Sequence, residues 1–279
     1  MQNAVLGSPI SHSKSPQIHL AAYHELGLDW KYERFEVSEP GFNDFLEANA
    51  RLSGLSLTMP LKEAGYEWAL GHGAAIDEPS MLLKASNTLR IVQSGVQAFN
   101  TDVFGVRQAM VEAEVETPST LAILGSGATS RSVMLGLLQA FDHLGSISVF
   151  ARNRESAGNL IDLANAFSSQ FDDIQWLPLE AAADFGGADL TCNTLPAGVA
   201  DSLEVDVPIN GGWLFDVAYN PWPSTLSLGW ASEMTISGLE MLLWQALGQV
   251  RAFVSGDPQK PLPNEGHVFS AMRKAAGDI

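Results

Sequence analysis

Residues 120–141 constrain the fold most. The apolar run Thr120-Leu121-Ala122-Ile123-Leu124 leads directly into Gly125-Ser126-Gly127-Ala128-Thr129-Ser130-Arg131, and helical periodicity continues to residue 141. A strand that turns through glycines into a helix opens a strand–helix–strand unit. The rhythm persists downstream, with strands predicted at 147–151, 174–177, 190–193 and 213–217 and a helix at 155–167. Such alternation predicts a parallel sheet covered by helices on both faces.

Upstream the elements are shorter. Strands are predicted at 4–6, 32–37 and 54–59, and helices at 16–26 and 41–50. Pro16 suits a first helical turn, where its missing N–H costs nothing. A further helix follows Pro60 and carries Lys62 and Glu63. Residues 87–92 and 96–98 flank Gln93-Ser94-Gly95 as a hairpin. A helix at 101–114 crosses into the second domain. After Ser237 an amphipathic helix runs over 239–254, and a last one over 265–276. A chain of 279 residues suits two modest domains, with the boundary at residues 102 and 103 and the second domain reaching 238.

Fifteen basic residues stand against 32 acidic ones, a net charge of -17. That balance argues against nucleic acid and against anionic membranes as partners. A single cysteine, Cys192, excludes an internal disulfide and a thiolate zinc site, and reads as a small buried hydrophobe on a strand. The six histidines lack metal-ligand spacing, so no metal is expected. The opening Asn3-Ala4-Val5-Leu6-Gly7 resembles a strand rather than a targeting segment. The most apolar stretch, 236–254, is interrupted by Glu240, Gln245, Gln249 and Arg251. A cytoplasmic location is the expectation.

The glycine turn has the form of a dinucleotide cradle. Gly125 permits the tight turn, Gly127 lets backbone approach a diphosphate, and Ser130 is small enough for close helix–strand packing. Exposed N–H groups at the helix start favour a diphosphate. A turn without a ligand is the alternative. The following strand ends in Arg152-Asn153-Arg154, where an NAD site usually has a carboxylate. Guanidinium groups grip a ribose 2′-phosphate with paired charge-assisted bonds, so NADP is favoured over NAD. A solvated loop with two arginines is the competing reading. Lys14, Lys62, Arg131, Arg152 and Arg154 all lie in or beside these motifs, and offset the acidic background there.

Near the start, Ser11-His12-Ser13-Lys14-Ser15-Pro16 places two hydroxyls, Ser13 and Ser15, two residues apart. In extended chain they project to one side and form a grip for a carboxylate. Ser15 before Pro16 also reads as a helix N-cap. Thr58 and Lys62 fall at a strand end and a helix start. A lysine can donate a proton to a forming alkoxide or accept one from an alcohol, although most lysines are surface residues. Asp102 in Asn100-Thr101-Asp102 suits a helix N-terminus with or without a catalytic role.

Taken in order, these motifs resemble the shikimate dehydrogenase family over nearly the full chain. The resemblance rests on His12 to Pro16, Ser56-Leu57-Thr58-Met59-Pro60-Leu61-Lys62, Ser86-Asn87-Thr88, Asn100-Thr101-Asp102 and the glycine turn with Arg131. It extends through Arg152 to Arg154, Asn193-Thr194, Asp216-Val217-Ala218-Tyr219, Gly238-Leu239-Glu240-Met241-Leu242 and Gln245. The resemblance implies an α/β protein with a substrate-binding, catalytic domain over 1–102. It implies a Rossmann-like NADP domain over 103–238, and C-terminal helices, 239–279, that return to the first domain.

The implied activity is NADP-dependent interconversion of 3-dehydroshikimate and shikimate. By the same resemblance Lys62 and Asp102 form the catalytic pair, and Ser13, Ser15 and Tyr219 hold the substrate carboxylate. Thr58, Asn87 and Gln245 bond the ring hydroxyls. Gly125, Ser126, Gly127, Ala128, Thr129, Arg152, Asn153, Arg154, Thr194, Val217, Gly238 and Met241 surround the cofactor. The partner is a small molecule, and the chain acts as a monomer or homodimer. Four residues depart from the family pattern: Ser56 stands where Asn is usual, and Lys84, Val103 and Glu240 each stand where Gly is common. They leave open a paralogue acting on quinate or an amino-substituted relative. Ser15, often threonine in quinate-preferring relatives, favours shikimate. A ligand sensor on the same scaffold is the non-enzymatic alternative, and it would have no use for both Lys62 and Asp102.

Overall fold

The computed structural model describes residues 1–184, 187–196, 198–203 and 212–277. The chain divides into two units, one made of Met1–Phe104 and the chain from Leu243 onward, the other of Gly105–Leu242.

The first unit begins β1(Gln2–Gly7), α1(Ser15–Glu25), β2(Lys31–Glu36), α2(Phe42–Ala48), β3(Gly54–Leu57) and α3(Leu61–Gly71). It continues through β4(Ala75–Ile76), α4(Glu78–Leu83), β5(Thr88–Val92), β6(Gly95–Phe99) and the start of α5(Thr101–Glu112). Its sheet has the order β2-β1-β3-β5-β6-β4. β1 runs parallel to β2 and β3, while β5 is antiparallel to β3 and β6. β1 is an unbroken apolar run because neighbours cover it on both faces; Ala4, Val5 and Leu6 are all buried. Leu6, Leu55, Leu57, Leu61 and Leu89 share one core with Phe42 and Leu46 of α2. Gly65 lets α3 lie close on β3: a Cβ there would sit 2.2 Å from Leu57 Cδ1. That approach fixes the start of α3, where Lys62 stands.

The second unit contains β7(Thr120–Leu124), α6(Ala128–Ala140), β8(Leu144–Phe150), α7(Arg154–Asn165), β9(Phe171–Leu177), β10(Leu190–Asn193), β11(Trp213–Asp216) and β12(Thr235–Ser237). All pairs are parallel, in the order β12-β11-β10-β7-β8-β9. This is the doubly wound arrangement, and the winding reverses at β7, where ligands bind such sheets. Alternate residues of β7 serve two cores: Leu121 and Ile123 one, Ala122 and Leu124 the other. Cys192 is fully buried on β10, and burial pushes its thiol up. No helix of the described residues is long and apolar enough to cross a membrane.

The last two helices are α8(Gly238–Ser255) and α9(Glu265–Ala276). α9 lies along α1: Lys14 Nζ donates to the Ala276 carbonyl at 2.7 Å, and Gln17 Nε2 to that of Ala275 at 2.9 Å. Arg251 on α8 grips the Glu265 carboxylate with two N–H groups, at 2.7 and 2.5 Å. Trp244 stacks on Phe269 at 4.1 Å. The α/β class and the returning C-terminal helices thus match the expectation.

Ser15 is a correction. It does not cap α1 but lies inside its first turn; Lys14 occupies the cap position and makes no side-chain cap bond. The Ser15 N–H instead donates to Ser13 Oγ at 3.3 Å.

His19, one turn further along α1, is fully buried and stacked on Tyr32 at 4.1 Å. Its Nδ1–H donates to the Ser15 carbonyl at 2.9 Å. Burial pushes its pKa down from 6.5 to about 4. The unfolded chain therefore takes up a proton below about pH 6.5 that the folded chain refuses until about pH 4. Stability is full above that window and falls by about 3 kcal/mol as the pH drops through it. His19→Phe is expected to flatten this part of the pH dependence in urea unfolding between pH 7 and 4.5. An unchanged slope would show that His19 is not the group titrating.

Candidate active site

The chemistry-bearing residues of the first unit converge around one carboxylate. Asp102 is the second residue of α5, and its N–H is satisfied by Asn100 Oδ1 at 3.1 Å. Asn100 is itself held by a bond from its Nδ2 to the Ala85 carbonyl at 2.9 Å. Lys62, in the first turn of α3, donates from Nζ to Asp102 Oδ2 at 2.6 Å. The pair is largely withdrawn from water, with side chains 14% and 7% exposed. Asn87, just before β5, covers the other oxygen: its Nδ2 donates to Asp102 Oδ1 at 2.8 Å.

The same Asn87 amide reaches Thr101 Oγ1 at 3.0 Å and Gln245 Oε1 at 3.3 Å. Its Oδ1 accepts from Thr101 N–H at 2.9 Å and from Thr88 Oγ1 at 2.8 Å. Four of the predicted site residues, Lys62, Asn87, Asp102 and Gln245, are thus one hydrogen-bonded cluster drawn from α3, the head of β5, α5 and α8. A lysine ammonium has three donors, and Asp102 occupies one, which leaves N–H groups for a substrate oxygen.

Ser13 is half-buried in the loop before α1, and Ser15 is buried. Thr58, half-buried, follows β3 directly; its N–H donates to the Leu6 carbonyl at 3.0 Å. These three flank the cluster in sequence, and no bond joins them to Lys62 or Asp102 among those described here.

In the second unit the glycine turn leaves β7 at the point where the sheet's winding reverses. Gly125 has φ +106°, and a Cβ on it would lie 2.6 Å from Thr194 Oγ1. Only glycine is at ease there. Thr194 bonds Ser130 Oγ at 2.6 Å and the Leu124 carbonyl at 2.7 Å, which ties the turn to the end of β10. Ser126 Oγ bonds Ser156 Oγ at 2.6 Å. Gly127 precedes Ala128 at the start of α6, and a Cβ there would meet nothing within 4 Å. The space beside Gly127 is open and no side chain caps this 13-residue helix, which fits a diphosphate at its start.

Arg152 and Arg154 are exposed just beyond β8. The Arg154 guanidinium lies over the Trp176 ring, 5.5 Å from its centroid. Asn153 Oδ1 caps α7, accepting from the N–H groups of Glu155 and Ser156 at 2.8 and 3.2 Å. Two arginines with no carboxylate at the strand end fit a 2′-phosphate rather than a free ribose.

Asp216 ends β11 and is buried; burial pushes its pKa up. It accepts from Asn193 Nδ2 at 2.9 Å, Ala218 N–H at 3.0 Å and Ser224 Oγ at 2.6 Å. These bonds pin the loop that carries Val217 and Tyr219, whose phenol is also pushed up by burial. Gly238 opens α8, and Met241, on its first turn, is buried in the core of this unit.

Sequence reasoning missed Gln249, whose Nε2 donates to the Asn87 carbonyl at 3.2 Å and whose Oε1 accepts from Ser56 Oγ at 2.8 Å, and Tyr32, whose Oη donates to the same Ser56 Oγ at 2.6 Å. Gln249 lies one helical turn after Gln245 on α8, so the i,i+4 spacing of two glutamines was a usable signal. Tyr32 offered none, since β2 reads as an ordinary alternating strand.

Residues 5–89 match the family model described as the shikimate dehydrogenase substrate binding domain. A shikimate dehydrogenase (NADP(+)) of Methanothermobacter thermautotrophicus is 30% identical over 269 residues, covering 91% of each chain. The crystal structure of Mycobacterium tuberculosis shikimate dehydrogenase is 34% identical and superposes with a TM-score of 0.78 over 99% of this chain and 98% of its own. The Thermus thermophilus enzyme in complex with NADP(H) and shikimate is 28% identical, with a TM-score of 0.76 over 99% of both chains. With this likeness running the length of both units, the chain belongs to the shikimate dehydrogenase family.

Proposed function

We propose that this protein is an NADP-dependent dehydrogenase interconverting 3-dehydroshikimate and shikimate. The observation that carries the reading is the buried Lys62–Asp102 pair, clamped by Asn87 beside Gln245. A ligand sensor needs no proton donor, and an ammonium withdrawn from water beside a carboxylate has N–H groups left to offer a reacting oxygen. The Mycobacterium and Thermus relatives support the substrate and cofactor.

In the direction of reduction, Lys62 Nζ gives a proton to the oxygen of the ring ketone as it becomes an alkoxide. Asp102 holds the ammonium in place and stabilises its charge. In the reverse direction Lys62 takes the alcohol proton. The cofactor, when bound, supplies or removes the hydride at the ring carbon. Ser13, Ser15 and Tyr219 hold the substrate carboxylate, and Thr58, Asn87 and Gln245 bond its hydroxyls. Gly125 to Thr129, with Thr194 behind the turn, would hold the diphosphate, and Arg152 and Arg154 would take the 2′-phosphate, with Asn153 setting the loop between them. Val217, Gly238 and Met241 would border the cofactor. Residues 1–102 with 239–279 form the substrate-binding, catalytic domain, and 103–238 the NADP domain. The protein works in the cytoplasm as a monomer or homodimer.

The direct test is reduction of NADP by the purified protein with shikimate or quinate, followed at the reduced-nicotinamide band. Shikimate with NADP is expected to be the best pair; a preference for quinate would assign the protein to the neighbouring specificity. Lys62→Ala is expected to lower kcat by roughly 10²–10⁴, the span of a lost general acid–base, while shikimate still binds. Turnover near that of the wild type would remove Lys62 from the chemistry. Arg152→Asp is expected to shift the ratio of kcat/KM from NADP towards NAD, and an unchanged ratio would place the 2′-phosphate elsewhere.

A further inference from the structure

Behind the Lys62–Asp102 cluster lies a second set of buried polar side chains that touch neither Lys62 nor Asp102. Tyr32, Ser56, Thr88 and Gln249 are all at most 4% exposed. Ser56 occupies the position where the family usually has asparagine. In the sheet, Ser56 of β3 stands directly opposite Thr88 of β5.

The bonds among these residues run in one sense. Tyr32 Oη donates to Ser56 Oγ at 2.6 Å, and Ser56 Oγ donates to Gln249 Oε1 at 2.8 Å. With Oε1 taken, Gln249 presents Nε2 to the other side, where it donates to Thr88 Oγ1 at 3.1 Å and to the Asn87 carbonyl at 3.2 Å. Thr88, now an acceptor from glutamine, turns its own hydrogen to Asn87 Oδ1 at 2.8 Å. Asn87 is then left with Nδ2 facing Asp102 Oδ1 at 2.8 Å. Every member donates forward, from Tyr32 to the carboxylate that holds Lys62.

The direction has a consequence. An Asn87 amide turned over would place Oδ1 against the Asp102 carboxylate, two acceptors with no hydrogen between them. It would also leave Nδ2 against the Thr101 N–H and the Thr88 hydroxyl. An unpaired buried polar group is costly, and hydrogen-bonded chains of this kind act as a unit. The Thr101 N–H, which can only donate, fixes the sense at Asn87; Ser56 is the link that carries the chain away from the site, since one small hydroxyl accepts from Tyr32 and donates to Gln249.

We infer that Ser56 is a positioning residue in this protein: with Tyr32 and Gln249 it braces Thr88 and Asn87 from behind, and through Asn87 the Lys62–Asp102 pair. The serine thus does not leave a gap where asparagine is usual; its hydroxyl is fully engaged behind the site. The kinetic side of this inference rests on the proposed dehydrogenase reading.

Ser56→Ala, Tyr32→Phe and the double variant test it. Ser56→Ala is expected to lower kcat about tenfold, the scale of one lost hydrogen bond, with KM for shikimate within about twofold. Tyr32→Phe is expected to lower kcat by about threefold, and the double variant to be no worse than Ser56→Ala, since the chain is already broken. Multiplying losses, or a Ser56→Ala kcat within twofold of wild type at a lowered melting temperature, would overturn the inference. If Ser56→Ala does not fold, an unchanged kcat in Tyr32→Phe overturns it. The second readout needs no turnover: the Asn87 side-chain amide resonances, assigned by their loss in Asn87→Asp, are expected to move in Tyr32→Phe and Ser56→Ala without substrate. Unmoved resonances would overturn the positioning role whether or not shikimate is the substrate, whereas wild-type turnover separately decides that reading.

Discussion

The first unit is organised around a charge pair that has almost no water. Lys62 and Asp102 meet at 2.6 Å with side chains 14% and 7% exposed. Withdrawing two charges from solvent is unfavourable, and their attraction offsets it only when the remaining hydrogen-bonding capacity is met. Here Asp102 has both oxygens engaged, one by Lys62 and one by Asn87. Asn87 in turn depends on Thr101, Thr88 and Gln245. Four elements far apart in the chain must therefore arrive together before the pair is tolerable. The return of the C-terminal helices to this unit supplies one of them: α8 brings Gln245 and Gln249, and Arg251 on the same helix ties α9 down through Glu265.

The cofactor site proposed in the second unit meets a different problem, that of holding an anion in a protein with a net charge of -17. The proposed site relies on backbone more than on many cations. The turn at Gly125 leads into α6, and Thr194, Ser130 and Ser126 fasten it with side-chain bonds. Arg154, laid over Trp176, adds positive charge at the end of β8.

Much of this was legible in the chain. β7, β10 and α9 have the bounds predicted for them, because glycine, alternation and helical periodicity act locally there. Other ends differ by one to three residues, since they are decided by bonds to distant backbone. β4, α4 and β12 escaped notice: two, six and three residues are too short to display a period. Ser15 misled because proline at 16 reads as the first helical residue, whereas the helix starts one residue earlier and Ser13 takes the Ser15 N–H. Lys62 and Asp102 were identifiable as a pair only through the resemblance, being 40 residues apart. The chain of bonds behind them was invisible for the same reason, since Ser56 and Gln249 are separated by 193 residues.

The most direct test of the central claim exchanges one atom of the pair. Asp102→Asn keeps the shape of the side chain and its place beside Asn87 but removes the charge that holds Lys62. Steady-state oxidation of shikimate with NADP by this variant is predicted to fall in kcat by at least about 10², with KM changed only several-fold. A kcat within twofold of the wild type would show that the Lys62–Asp102 charge pair is structural, and that the proton moves elsewhere.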